Sequence, residues 1–419
     1  MNKRDFLKTF GTAAIGSPFL SLDSSSNHKF EDYSKRNNLS ETDFWKKIRE
    51  DYTLKKDYIN LENGYYCIVP NPTLNNFITH VKKINIEGSY YMRNNRDMDN
   101  KRIEARLANF LNCSPEELVV TRNTTESLDL IIGGFPWKKG DEAIYAKQDY
   151  GAMQQMFKLV SKRHGVVNKV VSVPNHPNDD DEIVKLYEDQ ITSKTKLIMV
   201  CHMVNITGHI LPIRKICDMA HKYGVEVMVD GAHCIGHFKV NISELNCDYY
   251  GSSLHKWLST PLGVGILYIS KNKVSKINPL LASHVHEQDN ILRLNHIGTH
   301  PVYTDLAIDN ALDYQEMIGT DRKENRLRYI QRYWSDRLRK IKNVVINTPI
   351  EEHKSCGIAN VGIKSMDPGK LAKILLDKYQ IFTVAINHEN VVGCRISPNV
   401  YTNEEDLEHF ISSIKELAV

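Results

Sequence analysis

The sequence lacks the features that mark membrane-spanning and nucleic-acid-binding proteins. None of its apolar runs approaches the ~18 residues that a membrane-spanning helix needs. Its 54 Lys and Arg residues nearly balance its 51 Asp and Glu residues, which leaves a net charge of only +3. A chain with so little excess positive charge is poorly suited to neutralising nucleic-acid phosphates. We therefore expect no membrane span and no nucleic-acid partner, and we expect a small-molecule substrate.

Metal-binding, disulfide and dinucleotide-binding patterns are also missing. The eight cysteines are scattered singly, with no C-x-x-C pair, and the 17 histidines form no H-E-x-x-H pattern. We therefore expect neither a metal site nor a disulfide framework, and a metal-dependent hydrolase is not favoured. Residues 263–268 (GVGILY) lack the third glycine of a dinucleotide fingerprint and lie inside a predicted strand, which argues against a Rossmann-type site.

The first 26 residues have the parts of an export signal. A basic start at residues 3–8 (KRDFLK) leads into a weakly apolar stretch and then into a Ser- and Asn-rich exit. The segment resembles a twin-arginine signal, with Lys3 in place of the first arginine and with no clear A-x-A cleavage site. It predicts a periplasmic location. The alternative is a short amphipathic helix at the start of a cytoplasmic protein.

Short β-rich runs alternate with helical patterns between about residues 117 and 270. Such alternation predicts an α/β domain around a mainly parallel sheet that is buried on both faces. The seven predicted strands are Glu117–Thr121, Glu142–Ala146, Lys169–Val173, Lys196–Val200, Val225–Val229, Cys247–Gly251 and Val264–Ile269.

The last third of the chain changes character and predicts a smaller C-terminal α+β domain. A long charged amphipathic helix at residues 321–342 precedes short strands, and a capping box at Thr402–Glu405 begins the final helix. The predicted strands lie near Val344–Ile346, Ile358–Ile363 and Cys394–Ser397. The predicted divisions are a signal at 1–26, an N-terminal segment at 27–70 that packs on the small domain, a large domain at 71–305 and a small domain at 306–419.

Three polar features follow predicted strands, at the edge where open α/β sheets place ligands. Thr124 and Thr125 begin a helix, where hydroxyls and free N–H groups suit a phosphate, although such residues are commonly only caps. Asp230 closes an apolar strand and needs a cation, a metal or a helix N-terminus. Lys256 lies between two apolar strands, where a desolvated amine becomes a nucleophile able to form a Schiff base. The alternative for Lys256 is an exposed loop lysine.

Together these features resemble the class V aminotransferase group of fold-type I pyridoxal-phosphate (PLP) enzymes. The resemblance rests on residues 230–233 (DGAH), residues 252–256 (SSLHK) and the Thr124-Thr125 helix start. It covers about residues 55–415 and is strongest to the isopenicillin-N-epimerase-like branch, which is related to cysteine desulfurases. It implies PLP as cofactor, an amino-acid-like substrate and a homodimer.

The resemblance assigns roles to the residues that would hold the cofactor. Lys256 would bind PLP as the internal aldimine and move the proton at the substrate α-carbon, and Asp230 would pair with the pyridinium nitrogen. Further cofactor contacts are implied for a larger set. Thr124, Thr125, Ser253 and His255 would bind the phosphate, and Tyr150 would lie against the ring. His233 would hydrogen-bond the phenolic oxygen, and Asn205 would lie near that oxygen or near the substrate carboxylate. The alternatives are a turn residue at Asn205 and a buried structural imidazole at His233.

The resemblance also implies contacts to the substrate and to a second subunit. Arg395 would bind the substrate α-carboxylate through two parallel hydrogen bonds, unless it is a surface arginine on an edge strand. Asn63, in a loop at the mouth of the site, would also bind the substrate. Thr299 would reach the phosphate of a partner subunit. Tyr90, Tyr91, Arg93 and Arg96 are a polar, basic stretch that would meet a large or acidic substrate group, or would form a solvated helix face.

The type of reaction depends on a thiol. A desulfurase needs a mobile cysteine shortly before the substrate arginine, and residues 381–393 contain none. Cys394 adjoins Arg395, but adjacent strand residues point to opposite faces. The sequence therefore predicts an aminotransferase or epimerase-like enzyme. The alternatives are a C–S lyase or cysteine desulfurase-like enzyme and, in another class, a cofactor-free binding scaffold.

Overall fold

A computed structural model describes Arg36, residues 38–282 and residues 287–419. The predicted export signal at residues 1–26 lies outside the described residues. Residues Trp45–Val419 form one unit, and of the preceding unit, Met1–Phe44, only Arg36 and residues 38–44 are described. Within the described residues, every helix is too short or too polar to cross a membrane.

Helices and strands alternate along most of the described chain. The strands are β1 Ile59–Asn60, β2 Leu118–Thr121, β3 Glu142–Ala146, β4 Val167–Val171, β5 Thr195–Cys201, β6 Glu226–Asp230, β7 Tyr249–Ser253, β8 Gly265–Ile269, β9 Val344–Ile346, β10 Ala359–Ile363, β11 Ile381–Phe382, β12 Val384–His388 and β13 Val391–Ile396. The α-helices are α1 Glu41–Glu50, α2 Asn71–Glu87, α3 Ser89–Asn94, α4 Arg96–Leu111, α5 Thr124–Gly134, α6 Gly151–His164, α7 Asp180–Glu188, α8 Ile213–Lys222, α9 Ile242–Leu245, α10 Val302–Ile318, α11 Thr320–Leu338, α12 Pro368–Tyr379 and α13 Glu404–Leu417.

A seven-stranded sheet in the order β2-β8-β7-β6-β5-β3-β4 is the centre of the fold. Strand β8 runs antiparallel to both of its neighbours, and the other six strands are parallel to one another. Every residue of β3, β6, β7 and β8 is buried, as expected for a sheet covered on both faces. The mainly parallel α/β sheet is confirmed, and all seven strands lie within two residues of their predicted bounds.

Helices α5 and α6 are fixed against this sheet by apolar packing. Leu128 and Ile131 of α5 and Phe157 of α6 share one buried cluster with sheet residues such as Met228 and Leu267. Burial of each such side chain contributes roughly 1.5–3 kcal/mol. The packing therefore fixes the N-termini of both helices beside the carboxyl ends of the strands.

A second sheet is antiparallel, in the order β12-β13-β10-β9, and a two-stranded parallel pair joins β1 to β11.

Cys394 and Arg395 are neighbours on β13, and the Cys394 thiol faces the carbonyl oxygen of Pro368 at 3.6 Å. The Arg395 side chain instead contacts the loop that follows β1. The opposite orientation expected for these two residues is confirmed. The boundaries at 71–305 and 306–419 stay a prediction.

The final helix begins with a capping box one residue later than predicted. Asn403, not Thr402, is the N-cap, and its side chain accepts a hydrogen bond from the Asp406 N–H at 2.8 Å. The Asp406 carboxylate in turn accepts from the Asn403 N–H at 3.1 Å. An aspartate at the third helical position completes the pair because its short side chain still reaches the N-cap backbone.

Gly208 ends a turn in the loop after β5 and approaches another backbone closely. Its φ is +76°, and a Cβ built on it would lie 2.0 Å from the carbonyl oxygen of Ile358. Gly224 has a similar φ of +68° but open space around it. Substituting each of these glycines in turn therefore separates the energetic cost of backbone strain from that of a steric clash.

We expect Gly224→Ala to lower the free energy of unfolding by about 1 kcal/mol, from the left-handed backbone alone. Gly208→Ala should lower it by about 2 kcal/mol more, because the loop and Ile358 must separate. Urea unfolding followed by circular dichroism measures both values. Equal losses in the two variants would show that the close approach at Gly208 does not constrain the loop.

Candidate active site

A cavity of about 340 Å³ opens at the carboxyl ends of the parallel strands, a volume suited to a small molecule. It brings together ten of the twelve residues predicted for the site. These are Thr124, Thr125, Tyr150, Asn205, Asp230, His233, Ser253, His255, Lys256 and Arg395. All but Arg395, which lies on β13, come together because they belong to the large sheet or to the segments next to its strand ends, so that residues far apart in sequence line one cavity.

Lys256 lies in the turn after β7, with its amine beside an imidazole. The Lys256 Nζ is 3.0 Å from the Nε2 of His233. The pKa of Lys256 is lowered to about 8, chiefly by removal from water and to a smaller extent by the Arg395 charge, against the opposing effect of the Asp230 charge. An amine with such a pKa is partly unprotonated near neutral pH, as a nucleophile must be.

Asp230 is the last residue of β6 and is only 4% exposed. One carboxylate oxygen accepts a hydrogen bond from the Ala232 N–H at 3.0 Å. Burial raises the pKa of Asp230 above its usual range. A buried carboxylate that lines a cavity and accepts so few hydrogen bonds is suited to a cationic or N–H group of a ligand.

The N-terminus of α5 is a candidate anion site. The Thr124 Oγ1 lies 2.7 Å from the Ser253 Oγ, and the Thr124 N–H donates to the same hydroxyl at 2.9 Å. Asn123 caps the helix by accepting from the Glu126 N–H at 2.9 Å. Thr125 also lines the cavity. Clustered hydroxyls at the positive end of a helix dipole favour a phosphate.

His255 lies beside this anion site in a form that cannot donate to a phosphate. Its Nδ1 is 3.1 Å from the Val264 carbonyl oxygen, which can only accept, so Nδ1 carries the hydrogen. Burial lowers the pKa of His255 to about 4. The neutral ring therefore presents a bare Nε2, and His255 would donate to a phosphate only after taking up a second proton.

Tyr150 and Asn205 line the cavity from two different loops. Tyr150 directly precedes α6 and is 48% exposed, so that its ring is available to a ligand. The Asn205 backbone carbonyl accepts a hydrogen bond from the Nη1 of Arg395 at 3.2 Å. Asn205 therefore helps to hold the guanidinium at the cavity.

Glu62 is a residue of the site that the sequence analysis missed. Its carboxylate receives two hydrogen bonds from Arg395, one of them Nε to Oε2 at 3.1 Å, and a third from the Tyr65 N–H at 2.9 Å. Both charged side chains are more than nine-tenths buried. A Cβ on Gly64 would lie 2.5 Å from the Arg395 Cζ, so only glycine lets the loop lie over the guanidinium. The one signal in the sequence was an acidic residue directly before Asn63 and Gly64.

Two predicted residues do not line the cavity. The Asn63 side chain donates to the Ser397 carbonyl at 2.8 Å and accepts from the Tyr401 hydroxyl at 2.7 Å, so it holds the loop, and Gly64 and Tyr65 line the cavity instead. Thr299 is exposed and lies outside the cavity lining. Its role in a partner's site stays a prediction.

The basic stretch at residues 90–96 also lies outside the cavity lining. Tyr91 is buried, and its hydroxyl donates to Asp99 at 2.8 Å. Tyr90 is 68% exposed. In the part of the chain that the structure describes, the positions of these residues favour a solvated helix face over a contact with the substrate.

Comparison with known proteins gives matches to one enzyme family and to its fold. A family model described as aminotransferase class-V matches residues 73–410. The chain is 26% identical over 332 residues to isopenicillin N epimerase from Amycolatopsis lactamdurans, covering 75% of this chain and 83% of that one. It is 27% identical over 326 residues to a probable cysteine desulfurase from Halalkalibacterium halodurans, covering 72% and 78%. The cysteine desulfurase structure from Thermococcus onnurineus shares its fold, with a TM-score of 0.80 at 22% identity over 89% of this chain and 98% of that one.

We expect Glu62→Gln to lower the free energy of unfolding by about 3 kcal/mol, because the buried guanidinium of Arg395 would lose its counter-charge. Glu116→Gln is the matched control, since Glu116 pairs with Lys271 on the surface and its loss should leave unfolding unchanged. Urea unfolding measures both. If the two variants are equally stable, Glu62 is not the group that neutralises Arg395.

Proposed function

Because the chain belongs to the class V aminotransferase family of PLP-dependent enzymes, we propose that it acts at the α-carbon of an amino acid or amino-acid-derived metabolite without a cysteine nucleophile. Its reaction is then that of an epimerase or an aminotransferase. The observation that carries this proposal is the tightly fastened hairpin before Arg395, which provides no mobile thiol.

The cavity residues fit PLP by the chemistry of their donors and acceptors. Asp230 offers a buried carboxylate for a pyridinium nitrogen, and the start of α5 with Ser253 offers donors for a phosphate. Lys256 supplies a primary amine on the same cavity. Tyr150 supplies an exposed aromatic face for a flat ring. The cavity therefore offers a separate group to the ring nitrogen, the phosphate, the carbonyl carbon and the ring face of PLP.

The roles of this chain's residues follow from their positions. When bound, PLP withdraws electrons from the substrate α-carbon. Lys256 would hold the cofactor and would accept or donate the proton at that carbon, because its lowered pKa allows both directions near neutral pH. Asp230 would supply a negative charge for the pyridine nitrogen. Arg395 presents its remaining N–H groups toward a substrate carboxylate, with its orientation fixed by Glu62.

The segment before Arg395 is a tight hairpin. Strands β12 and β13 are joined by only Glu389 and Asn390. The Asn390 side chain accepts from Gln148 at 2.7 Å and donates to the Val173 carbonyl at 2.9 Å. His388 Nε2 is 2.7 Å from the carbonyl oxygen of Lys147. A hairpin fastened at its tip by these bonds is a poor carrier for a nucleophile that must swing toward a substrate.

The cysteines support the same proposal. Seven of the eight are buried, and the eighth, Cys113, lies outside the cavity lining. Cys201 lines the cavity, but burial raises the pKa of its thiol well above the usual value. Burial likewise raises the pKa of Cys394 to about 12. Thiols of this kind stay protonated and are weak nucleophiles.

An enzyme that breaks a C–S bond is the second candidate, supported by the desulfurase names among the relatives. A C–S lyase whose leaving group departs without help from a cysteine is compatible with the hairpin. A cofactor-free binding scaffold is a third possibility, which the buried Asp230 and Lys256 disfavour because a non-binder gains nothing from burying them.

Exchange of the substrate α-proton in D₂O distinguishes these candidates. With PLP present, we expect deuterium to enter the α-position of at least one amino acid in a screened panel, without release of sulfide from L-cysteine. Lys256→Ala should reduce the exchange by at least about 10²-fold, because the proton-transfer group is lost. Mass spectrometry of the recovered amino acids measures the exchange.

Cys394→Ser is the matched control, since this buried thiol is the one beside Arg395. Its exchange rate should equal that of the wild type. Sulfide release that Cys394→Ser abolishes would establish a desulfurase and contradict the proposal. A wild-type chain that neither binds PLP nor exchanges any α-proton would favour the binding scaffold.

We also propose a homodimer and export from the cytoplasm. The homodimer would allow the exposed Thr299 to reach a partner's phosphate site, as in the class V pattern. Export is suggested by the basic residues Lys3 and Arg4 ahead of the weakly apolar stretch.

A further inference from the structure

Trp257 directly follows Lys256 and lies behind it, outside the cavity lining. Its side chain is fully buried and stacks on the ring of His237, with ring centroids 3.7 Å apart and an interplanar angle of 21°. The indole Nε1–H of tryptophan can only donate a hydrogen bond. The buried indole N–H of Trp257 therefore needs a neighbouring atom that accepts its hydrogen bond.

That acceptor is the Nδ1 of His233, at 3.3 Å. A nitrogen that accepts carries no hydrogen of its own. Burial lowers the pKa of His233 well below its usual value, so the ring is neutral and has a single N–H. Trp257 therefore places that hydrogen on Nε2.

The Nε2 of His233 faces the Nζ of Lys256 at 3.0 Å. An ammonium group has donors only, and opposite an N–H it would form no hydrogen bond. An unprotonated amine has a lone pair and accepts. We infer that Trp257 is a positioning residue that fixes the tautomer of His233 and thereby holds Lys256 as the free amine, the form that attacks a carbonyl carbon. This inference rests on the proposed role of Lys256 in binding the carbonyl group of PLP.

Contacts outside the cavity keep Trp257 in this position. The buried Lys323 donates to the Trp257 carbonyl at 2.6 Å and to Gln315 at 2.9 Å. The His237 ring donates through Nδ1 to the His233 carbonyl at 2.8 Å, and its Nε2 accepts from the Gly357 N–H at 2.7 Å. The His237 ring, on which the indole stacks, is thus held at two backbone atoms and cannot turn over without breaking a buried hydrogen bond.

Other charged and titratable groups also face Lys256. They are Asp230, Glu62, Arg395, Cys67, Cys234, His233 and His255. The carboxylates favour the ammonium form and Arg395 disfavours it. All of these groups remain when Trp257 alone is changed, so a change in the protonation of Lys256 reports the indole N–H.

Trp257→Phe keeps an aromatic ring against His237 and removes the N–H donor together with part of the bicyclic ring. His233 is then free to carry its hydrogen on Nδ1 and to accept at Nε2 from a protonated Lys256. Because a hydrogen bond to the charged form raises the pKa of an amine, we expect the pKa of Lys256 to rise by about one unit. Below that pKa, the fraction of free amine should fall roughly tenfold.

The test is the rate at which acetic anhydride labels Lys256, followed by peptide mass spectrometry across a pH series, in full-length protein freed of PLP. The midpoint for Trp257→Phe should lie about one unit above that of the wild type. Trp334→Phe is the matched control, since Trp334 is fully buried and its Nε1 has no partner among the described residues. Its midpoint should equal that of the wild type.

A second measurement does not depend on how well the variant folds. In wild-type protein with ¹⁵N-labelled histidine, two-bond ¹H–¹⁵N spectra distinguish protonated from bare ring nitrogens, and His233→Asn identifies the signals of His233. We expect a protonated Nε2 and a bare Nδ1. A proton on Nδ1, or coincident midpoints for Trp257→Phe and wild type, would overturn the inference. Neither readout needs bound PLP, so failure of the proposed function would appear separately, as wild-type protein that takes up no PLP.

Discussion

The structure depends on keeping one amine out of water while leaving it open to a ligand. Lys256 lies at the end of β7, where burial lowers its pKa to about 8. An isolated buried ammonium would be strongly unfavourable, so the surroundings must favour the neutral form without trapping it in a permanent ion pair. His233 at 3.0 Å does so by offering a hydrogen, and Asp230 lies close enough to stabilise the charged form when a proton is taken up. The same setting would let one side chain attack a carbonyl and move a proton.

The sheet provides this setting by its topology. Asp230 ends β6, and its Cα partner is Gly251 on β7, so the carboxylate and the turn that carries Lys256 come from adjacent strands. The same edge receives the N-terminus of α5, whose position is fixed by packing of Leu128 and Ile131 in the core. The anion site and the amine are therefore fixed relative to each other by the hydrophobic core. Arg395 reaches the site from the second sheet and is oriented by its pairing with Glu62.

Much of this arrangement could be predicted from the sequence because it depends on local patterns. Runs of apolar residues identified all seven strands of the large sheet, and the polar residues that follow them identified Thr124, Asp230 and Lys256. The parts that could not be predicted depend on contacts between distant segments. Glu62 is separated from Arg395 by 333 residues, and no pattern around it indicates its partner. The Asn63 side chain was expected at the cavity but turns toward Tyr401, because backbone and hydroxyl groups of the C-terminal region satisfy it there. The shift of the capping box from Thr402 to Asn403 shows that a sequence pattern locates a helix end only to within about one residue.

The most direct test of the account is to find where the chain binds PLP. The protein is incubated with PLP and reduced with borohydride, and the resulting peptides are mapped by mass spectrometry. We expect a single pyridoxyl group, on Lys256. Lys323 provides an internal comparison, because burial also lowers its pKa to about 8, yet it lies outside the cavity lining and its Nζ is bound to the Trp257 carbonyl. A pyridoxyl group on Lys323 or on surface lysines, with Lys256 unmodified, would contradict the account.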